Sequence, residues 1–161
     1  MLTTAQAWDI LARVPDPEIP AISVTELGIV RDVQAADEGV DVVVTPTYSG
    51  CPATEAIERS IREALSAAGA RAVRVRQQLS PAWSTDWIAE DARERLRAYG
   101  IAPPGERPAG GAQPLSFVPR VACPRCGAAD TERLSQFGST ACKALYRCRA
   151  CREPFEYFKP I

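Results

Sequence analysis

Gly39-Val40-Asp41-Val42-Val43-Val44-Thr45-Pro46-Thr47-Tyr48-Ser49-Gly50-Cys51-Pro52 is the stretch on which the fold turns. Val40 to Val44 is β-branched with one polar interruption, which predicts a strand over 39–45. Pro46 to Gly50 carries turn chemistry and predicts a loop. Pro52 suits the first position of a helix, because the N–H it lacks has no partner there in any case. Ile57, Ile61, Ala64, Leu65 and Ala68 then recur on one face. They predict a helix over 52–68 that Gly69 stops in the C′ role. Strand, loop and helix in that order place Cys51 at the helix N-cap.

Working outward, Ile29-Val30-Arg31-Asp32-Val33 predicts a second strand within 28–35, joined to the first by a hairpin loop at Ala36-Asp37-Glu38-Gly39. Before it, Thr3 and Gln6 have capping-box spacing, and Ala7, Leu11 and Val14 share a face, predicting a helix over 4–14. Pro15-Asp16-Pro17 ends that helix, since a residue before proline is pushed out of the α region. Ile19-Pro20 extends the rigid turn. After the central helix, Val73 and Val75 alternate with Arg74 and Arg76 and predict a third strand. A further helix is expected over 86–99, capped by Thr85 and stopped by Gly100. Trp83 and Trp87, four apart, read more readily as core packing than as a binding platform. The expected class is α+β, a small sheet of about three strands packed with helices. The order of strands is not legible.

Residues 102–119 hold five prolines and three glycines among 18 residues and are expected to be a linker. That divides the chain into a domain at 1–101, the linker at 102–119 and a small module at 120–161. The module contains Cys123-Pro124-Arg125-Cys126 and Cys148-Arg149-Ala150-Cys151, with 21 residues between the pairs. Two thiolates on each of two tight turns supply a closed tetrahedral S4 shell, the donor set of a structural Zn2+ site. Gly127 stands where such a knuckle needs positive φ. Iron suits four thiolates as well, and two disulfides are the other reading, disfavoured by the lack of a secretory signal. Short strands are expected at 131–134, 144–147 and 155–158. So small a module needs bound metal to make up for a meagre core.

The 161 residues include six cysteines and no histidine. A Ser-His-Asp triad, a Cys-His dyad and a His-ligated catalytic zinc are therefore excluded. No apolar run approaches the ~18 residues of a membrane span, and residues 1–20 lack a signal-peptide pattern, so a soluble, cytoplasmic protein is expected. Residues 1–119 carry 11 arginines against 16 acids, whereas 120–161 carry 8 basic residues against 4 acids. The basic excess of the tail is too small to predict nucleic-acid binding, the more so once thiolates surround a metal.

Cys51 is the residue with the clearest chemical opportunity. A helix N-terminus offers free N–H groups and partial positive charge, which favour thiolate over thiol. It reads equally as a metal ligand, a nucleophile or a small buried hydrophobe. Asp16 and Glu18 flank Pro17 and read as turn-makers before they read as metal or acid–base groups. Cys142, within Ser139-Thr140-Ala141-Cys142-Lys143, belongs to neither knuckle. It is either a thiol with a role of its own or a buried strand residue.

Asp16-Pro17-Glu18-Ile19-Pro20, Glu26-Leu27-Gly28-Ile29-Val30 and Thr45-Pro46-Thr47-Tyr48-Ser49-Gly50-Cys51-Pro52 together resemble the SufT-like iron–sulfur assembly domain, over roughly residues 4–100. Glu26 stands where that family more often has Asp. With the Pro-rich linker and a ribbon containing Phe137-Gly138-Ser139-Thr140-Ala141-Cys142-Lys143, the chain resembles the phenylacetate-degradation D family. That resemblance implies an accessory role beside a multicomponent oxygenase that epoxidises the ring of phenylacetyl-CoA. Such an oxygenase has a di-iron subunit and a reductase bearing a flavin and a [2Fe–2S] cluster. The chain has neither a Glu-x-x-His pair nor a Gly-rich dinucleotide loop, so it is not expected to be the catalytic subunit. The resemblance makes Cys51 the candidate for transient Fe or Fe–S cluster transfer, with Asp16 and Glu18 beside it and Cys142 as a second thiol. A lone thiolate cannot hold a cluster, which usually takes four ligands. Cys142, a homodimer, an iron–sulfur assembly protein or an oxygenase subunit would have to supply the others. The alternative is a non-catalytic scaffold subunit with no part in metal transfer.

Overall fold

A computed structural model describes residues 1–105 and 120–161. These fall into two compact units, Met1–Ala92 and Arg93–Ile161. No helix among them is long and apolar enough to cross a membrane.

The first unit is built on a three-stranded sheet. Strands β1 (Val30–Ala36), β2 (Gly39–Val44) and β3 (Val73–Gln77) lie in the order β1-β2-β3. β1 and β2 form the antiparallel hairpin that the sequence predicts, and β3 pairs parallel to β2. A parallel return requires a crossover, and helix α2 (Ala53–Ala67) supplies it. Val33, Val40, Val42 and Val44 are buried on one face. The other face is polar, with Arg74 donating to its cross-strand neighbour Asp41 at 2.7 Å. Helix α1 (Thr4–Leu11) packs on β1 and α2, while α2 packs on β3. The capping box of Thr3 and Gln6 is formed. Ile57, Ile61 and Leu65 make the buried stripe of α2, although Ala68 is exposed. Gly69 sits at φ 97°, and the Ala70 N–H reaches the Leu65 carbonyl, closing α2 with a Schellman motif.

The segment between α1 and β1 is a chain of hydrogen-bonded turns. Asp16 is buried, and its Oδ1 accepts from the Glu18 and Ile19 N–H groups at 2.8 Å each. Ser23 and Glu26 cap one another, with Glu26 Oε2 accepting from the Ser23 N–H at 2.8 Å and the Glu26 N–H donating to Ser23 Oγ. Gly28 lies at φ 73°, and a Cβ there would sit 2.7 Å from the Cβ of Trp87. Trp83 is buried and donates its indole N–H to the Leu27 carbonyl at 2.9 Å. These contacts bear out core packing for Trp83, while Trp87 is half-buried under the Arg31 guanidinium.

The helix expected over 86–99 is shorter and broken. Thr85–Trp87 is a single 3-10 turn capped by Ser84, Ile88 is extended, and α3 runs from Glu90 to Tyr99. Packing of Trp87 on Gly28 and donation of the Ala89 N–H to the Glu26 carbonyl hold this stretch out of the helix.

The second unit carries a four-stranded sheet in the order β4-β7-β6-β5, with β4 (Ile101–Ala102), β5 (Thr131–Ser135), β6 (Lys143–Cys148) and β7 (Pro154–Phe158). β5, β6 and β7 are the short strands expected of the module, and they pair antiparallel. β4 has no counterpart in the sequence reading. Ile101 and Ala102 pair parallel to β7, so Ala102, at the start of the expected linker, belongs to the ribbon sheet. Most of that linker, 106–119, lies outside the described residues. Tyr146 stands at the centre of the core, stacked on Phe155 at 5.8 Å and edge-on to Tyr157 at 5.6 Å.

Asp16→Ala should destabilise the first unit by about 2 kcal/mol or more, because two backbone donors lose their acceptor. Glu18→Ala, at an exposed side chain, should stay within about 0.5 kcal/mol. Chemical denaturation of both variants checks the difference. A fragment beginning at Arg120 should be less stable than one beginning at Arg93, since it lacks β4 and the buried Ala102. Thermal unfolding of the two zinc-loaded fragments measures this.

Candidate functional site

Two thiol sites emerge, one in each unit. In the second unit, Cys123, Cys126, Cys148 and Cys151 have all their sulfurs within 4.8 Å of one another. Cys123 Sγ lies 3.8 Å from Cys151 Sγ, and Cys126 Sγ lies 3.6 Å from Cys148 Sγ. Four sulfurs at about 2.3 Å from a tetrahedral Zn2+ would stand about 3.8 Å apart, so the donor set fits the ion. All six cysteines are free thiols, which removes the two-disulfide reading.

Each knuckle is shaped by backbone. The Gly127 N–H donates to the Cys123 carbonyl at 2.9 Å with Gly127 at φ 76°, as its position after the first pair predicts. Arg152 follows the second pair at the equivalent place and adopts φ 65°. A non-glycine residue there is strained by about 1–2 kcal/mol, a cost that the metal-centred turn has to carry. Cys123 and Cys148 are buried, while Cys126 and Cys151 are exposed.

Without metal, Cys148 and Cys151 titrate apart. The Cys151 backbone N–H, helped by Cys126 and the Ala150 N–H, holds Cys148 down at about 7. The Glu153 backbone N–H favours the Cys151 thiolate, but burial and the crowd of neighbouring sulfurs outweigh it and push Cys151 up to about 12. A divalent ion replaces the protons that these thiols hold against each other.

In the first unit, Cys51 occupies the connection between β2 and α2. The Cys51 N–H donates to the Tyr48 carbonyl at 3.2 Å across a turn whose third residue, Gly50, has φ 79°. Pro52 is already helical at φ −67°, ψ −21°, and Thr54 N–H reaches back to the Cys51 carbonyl. The N-cap of α2 is therefore Pro52, and Cys51 stands one residue before it and not at the N-cap that the sequence predicts. Its half-buried Sγ accepts a long contact from the Thr47 hydroxyl at 3.9 Å. Thr45, which follows the last residue of the central strand, is buried with its Oγ1 unpartnered.

Among the described residues, the four ribbon cysteines form the one group of three or more metal-ligating side chains. Cys51, Asp16, Glu18 and Cys142 join no such group. The Asp16 Oδ1 caps a turn and Glu18 is exposed. Cys142 lies in the β5–β6 connection, half-buried, with Sγ 3.1 Å from the Thr140 hydroxyl. Glu26 enters the sequence reading only as a motif letter. The Ser23-Val24-Thr25-Glu26 spacing is itself a capping box and is the signal that assigns it.

Cys123→Ser and Cys148→Ser should each lose bound zinc, while Cys51→Ser and Cys142→Ser retain it, as metal analysis of the purified variants will show. Because the thiols must deprotonate to bind, apparent zinc affinity should fall as pH drops through about 7, where Cys148 takes up its proton. Chelator competition across that range measures the slope, and an affinity independent of pH would contradict the four-thiolate assignment.

Comparison with known proteins agrees with this two-part geometry. Residues 4–76 match the family described as iron-sulfur cluster assembly protein, and residues 111–159 match the PaaD zinc beta ribbon domain. The first unit is similar to the crystal structure of a domain of unknown function, DUF59, from Bacillus anthracis, at TM-score 0.55 and 26% identity, covering 58% of this chain and 91% of that one. An Fe-S protein maturation auxiliary factor of Porphyromonas gingivalis is 34% identical over 54% of this chain and 84% of its own length. Over 97% of this chain and 92% of the relative, the sequence is 54% identical to a protein of Escherichia coli strain K12 described as the D component of 1,2-phenylacetyl-CoA epoxidase. An assembly-type domain followed by a four-cysteine ribbon, matched along nearly its whole length, thus places this chain in the PaaD family of phenylacetyl-CoA epoxidase components.

Proposed function

We propose that this chain is an accessory component of the phenylacetyl-CoA epoxidase that matures or maintains the iron or iron–sulfur centres of the complex and performs no catalysis itself. The observation that carries the proposal is the placement of Cys51. A half-buried thiol stands at the head of α2 in a unit that matches the iron–sulfur assembly family. A cysteine sulfur at that place is a soft ligand for iron. Iron or a cluster is cargo here. Cys51 belongs to no group of three or more ligating side chains among the described residues, so ligands from the donor or the recipient complete its site, and such an open site suits transfer better than storage. The ribbon is a structural metal module.

A scaffold role is the second reading, favoured by the absence of Cys51 from any group of three or more ligating side chains among the described residues. Epoxidase isolated from cells lacking this chain, and from cells complemented with Cys51→Ala, separates the two. The assembly role predicts low iron and acid-labile sulfide in both, with turnover regained on reconstitution in vitro. Fully metallated epoxidase in both strains would overturn it in favour of the scaffold.

A further inference from the structure

Phe137 is 57% exposed and Leu134 49% exposed, both in or just after β5. Single exposed apolar side chains are ordinary. The loop that carries Phe137 is not. Gly138 lies against the Glu156 carboxylate, which a Cβ at that position would have to displace. The Ser139 N–H and hydroxyl donate to that carboxylate at 2.8 and 2.9 Å. Lys143, only 2% exposed, donates to it at 3.1 Å. Taking a lysine out of water for an ion pair returns little stability over an apolar pair. What it secures here is the path of the loop.

Phe137 itself is fixed from two directions. Its N–H donates to Ser135 Oγ at 3.2 Å, and the Lys159 ammonium stands 4.5 Å above the ring while donating to the Gln136 carbonyl at 3.0 Å. Leu134 lies where the β5–β6 register shifts, next to Arg133, which has no ion-pair partner among the described residues. An exposed aromatic with little freedom left to lose has the form of a binding anchor.

Charge selects the partner. Residues 93–161 contain 12 arginines and lysines against six acids, whereas 1–92 contain seven arginines against 14 acids. The basic excess of the unit that carries Phe137 complements a carboxylate-bearing protein surface. We infer that Phe137, supported by Leu134, Arg133 and Lys159, is the anchor by which this chain docks on another epoxidase subunit, at an apolar recess rimmed by carboxylates. The inference rests on the reading of the chain as a working part of that complex, and it assigns the contact to the ribbon and not to the Cys51 unit.

The test uses the full-length, zinc-loaded chain titrated calorimetrically against each purified epoxidase subunit at low and high salt. Wild type should bind one subunit in a salt-sensitive manner. Phe137→Ser and Arg133→Glu should each weaken that binding at least about tenfold, with zinc content unchanged, while Phe137→Trp retains it. If wild type binds no subunit, the underlying reading fails and the docking face falls with it. If wild type binds and Phe137→Ser binds equally well, only the docking face is overturned. Tight binding of a single-stranded oligonucleotide that Phe137→Ser abolishes, or self-association that it abolishes, would each replace the proposed occupant and overturn the inference.

Discussion

The end of β2 is the point on which the first unit depends. The Thr45 N–H donates to the Ile29 carbonyl on one side, and the Gln78 N–H donates to the Val44 carbonyl on the other, both at 2.8 Å. The central strand is therefore pinned by both neighbours at the residue where it gives way to a loop. Gly50 turns the chain at positive φ, Pro52 starts the helix, and Cys51 is left between them. Ligands of parallel α/β pairs gather at the carboxyl ends of strands. Here the β2-α2-β3 crossover puts its single thiol at that end.

The second unit solves a different problem. It is too small to fold on apolar burial alone, and its core of Tyr146, Phe155 and Tyr157 stacks around two of the metal-binding cysteines, Cys123 and Cys148. Core and metal site therefore form together. β4 extends the sheet on the β7 side with two residues from well upstream of the first knuckle. The cost of Arg152 at positive φ shows how strongly the second knuckle is constrained.

The strands of the first unit are legible in the sequence because β-branched residues cluster and alternate there, and α1 and α2 are legible because their caps and stripes agree. The S4 site is legible from spacing alone, since four thiols at that separation have few other uses. What periodicity does not show are structures made by distant partners. The break before α3 comes from Trp87 meeting Gly28, 59 positions earlier in the chain. β4 is two residues long and owes its strand character to β7, not to its own sequence. Asp16 and Glu18 look equivalent in sequence, yet the fold buries one as a turn cap and exposes the other. Trp83 and Trp87 read as packing residues; the indole hydrogen bond from Trp83 to Leu27 also clamps the Glu26-Leu27-Gly28 turn. Helix-start chemistry locates Cys51, but nothing in the residues alone distinguishes a transfer ligand from a quiet thiol.

That distinction is open to one direct measurement. The full chain, with zinc in its ribbon, is incubated anaerobically with a [2Fe–2S] donor and then pulsed with an alkylating agent, and labelling is mapped by peptide mass spectrometry. The ribbon cysteines should be shielded with or without the donor. Cys51 should label readily in its absence and become protected in its presence, with protection lost again when the cluster is chelated. Equal labelling of Cys51 with and without the cluster donor would contradict its role as the iron ligand.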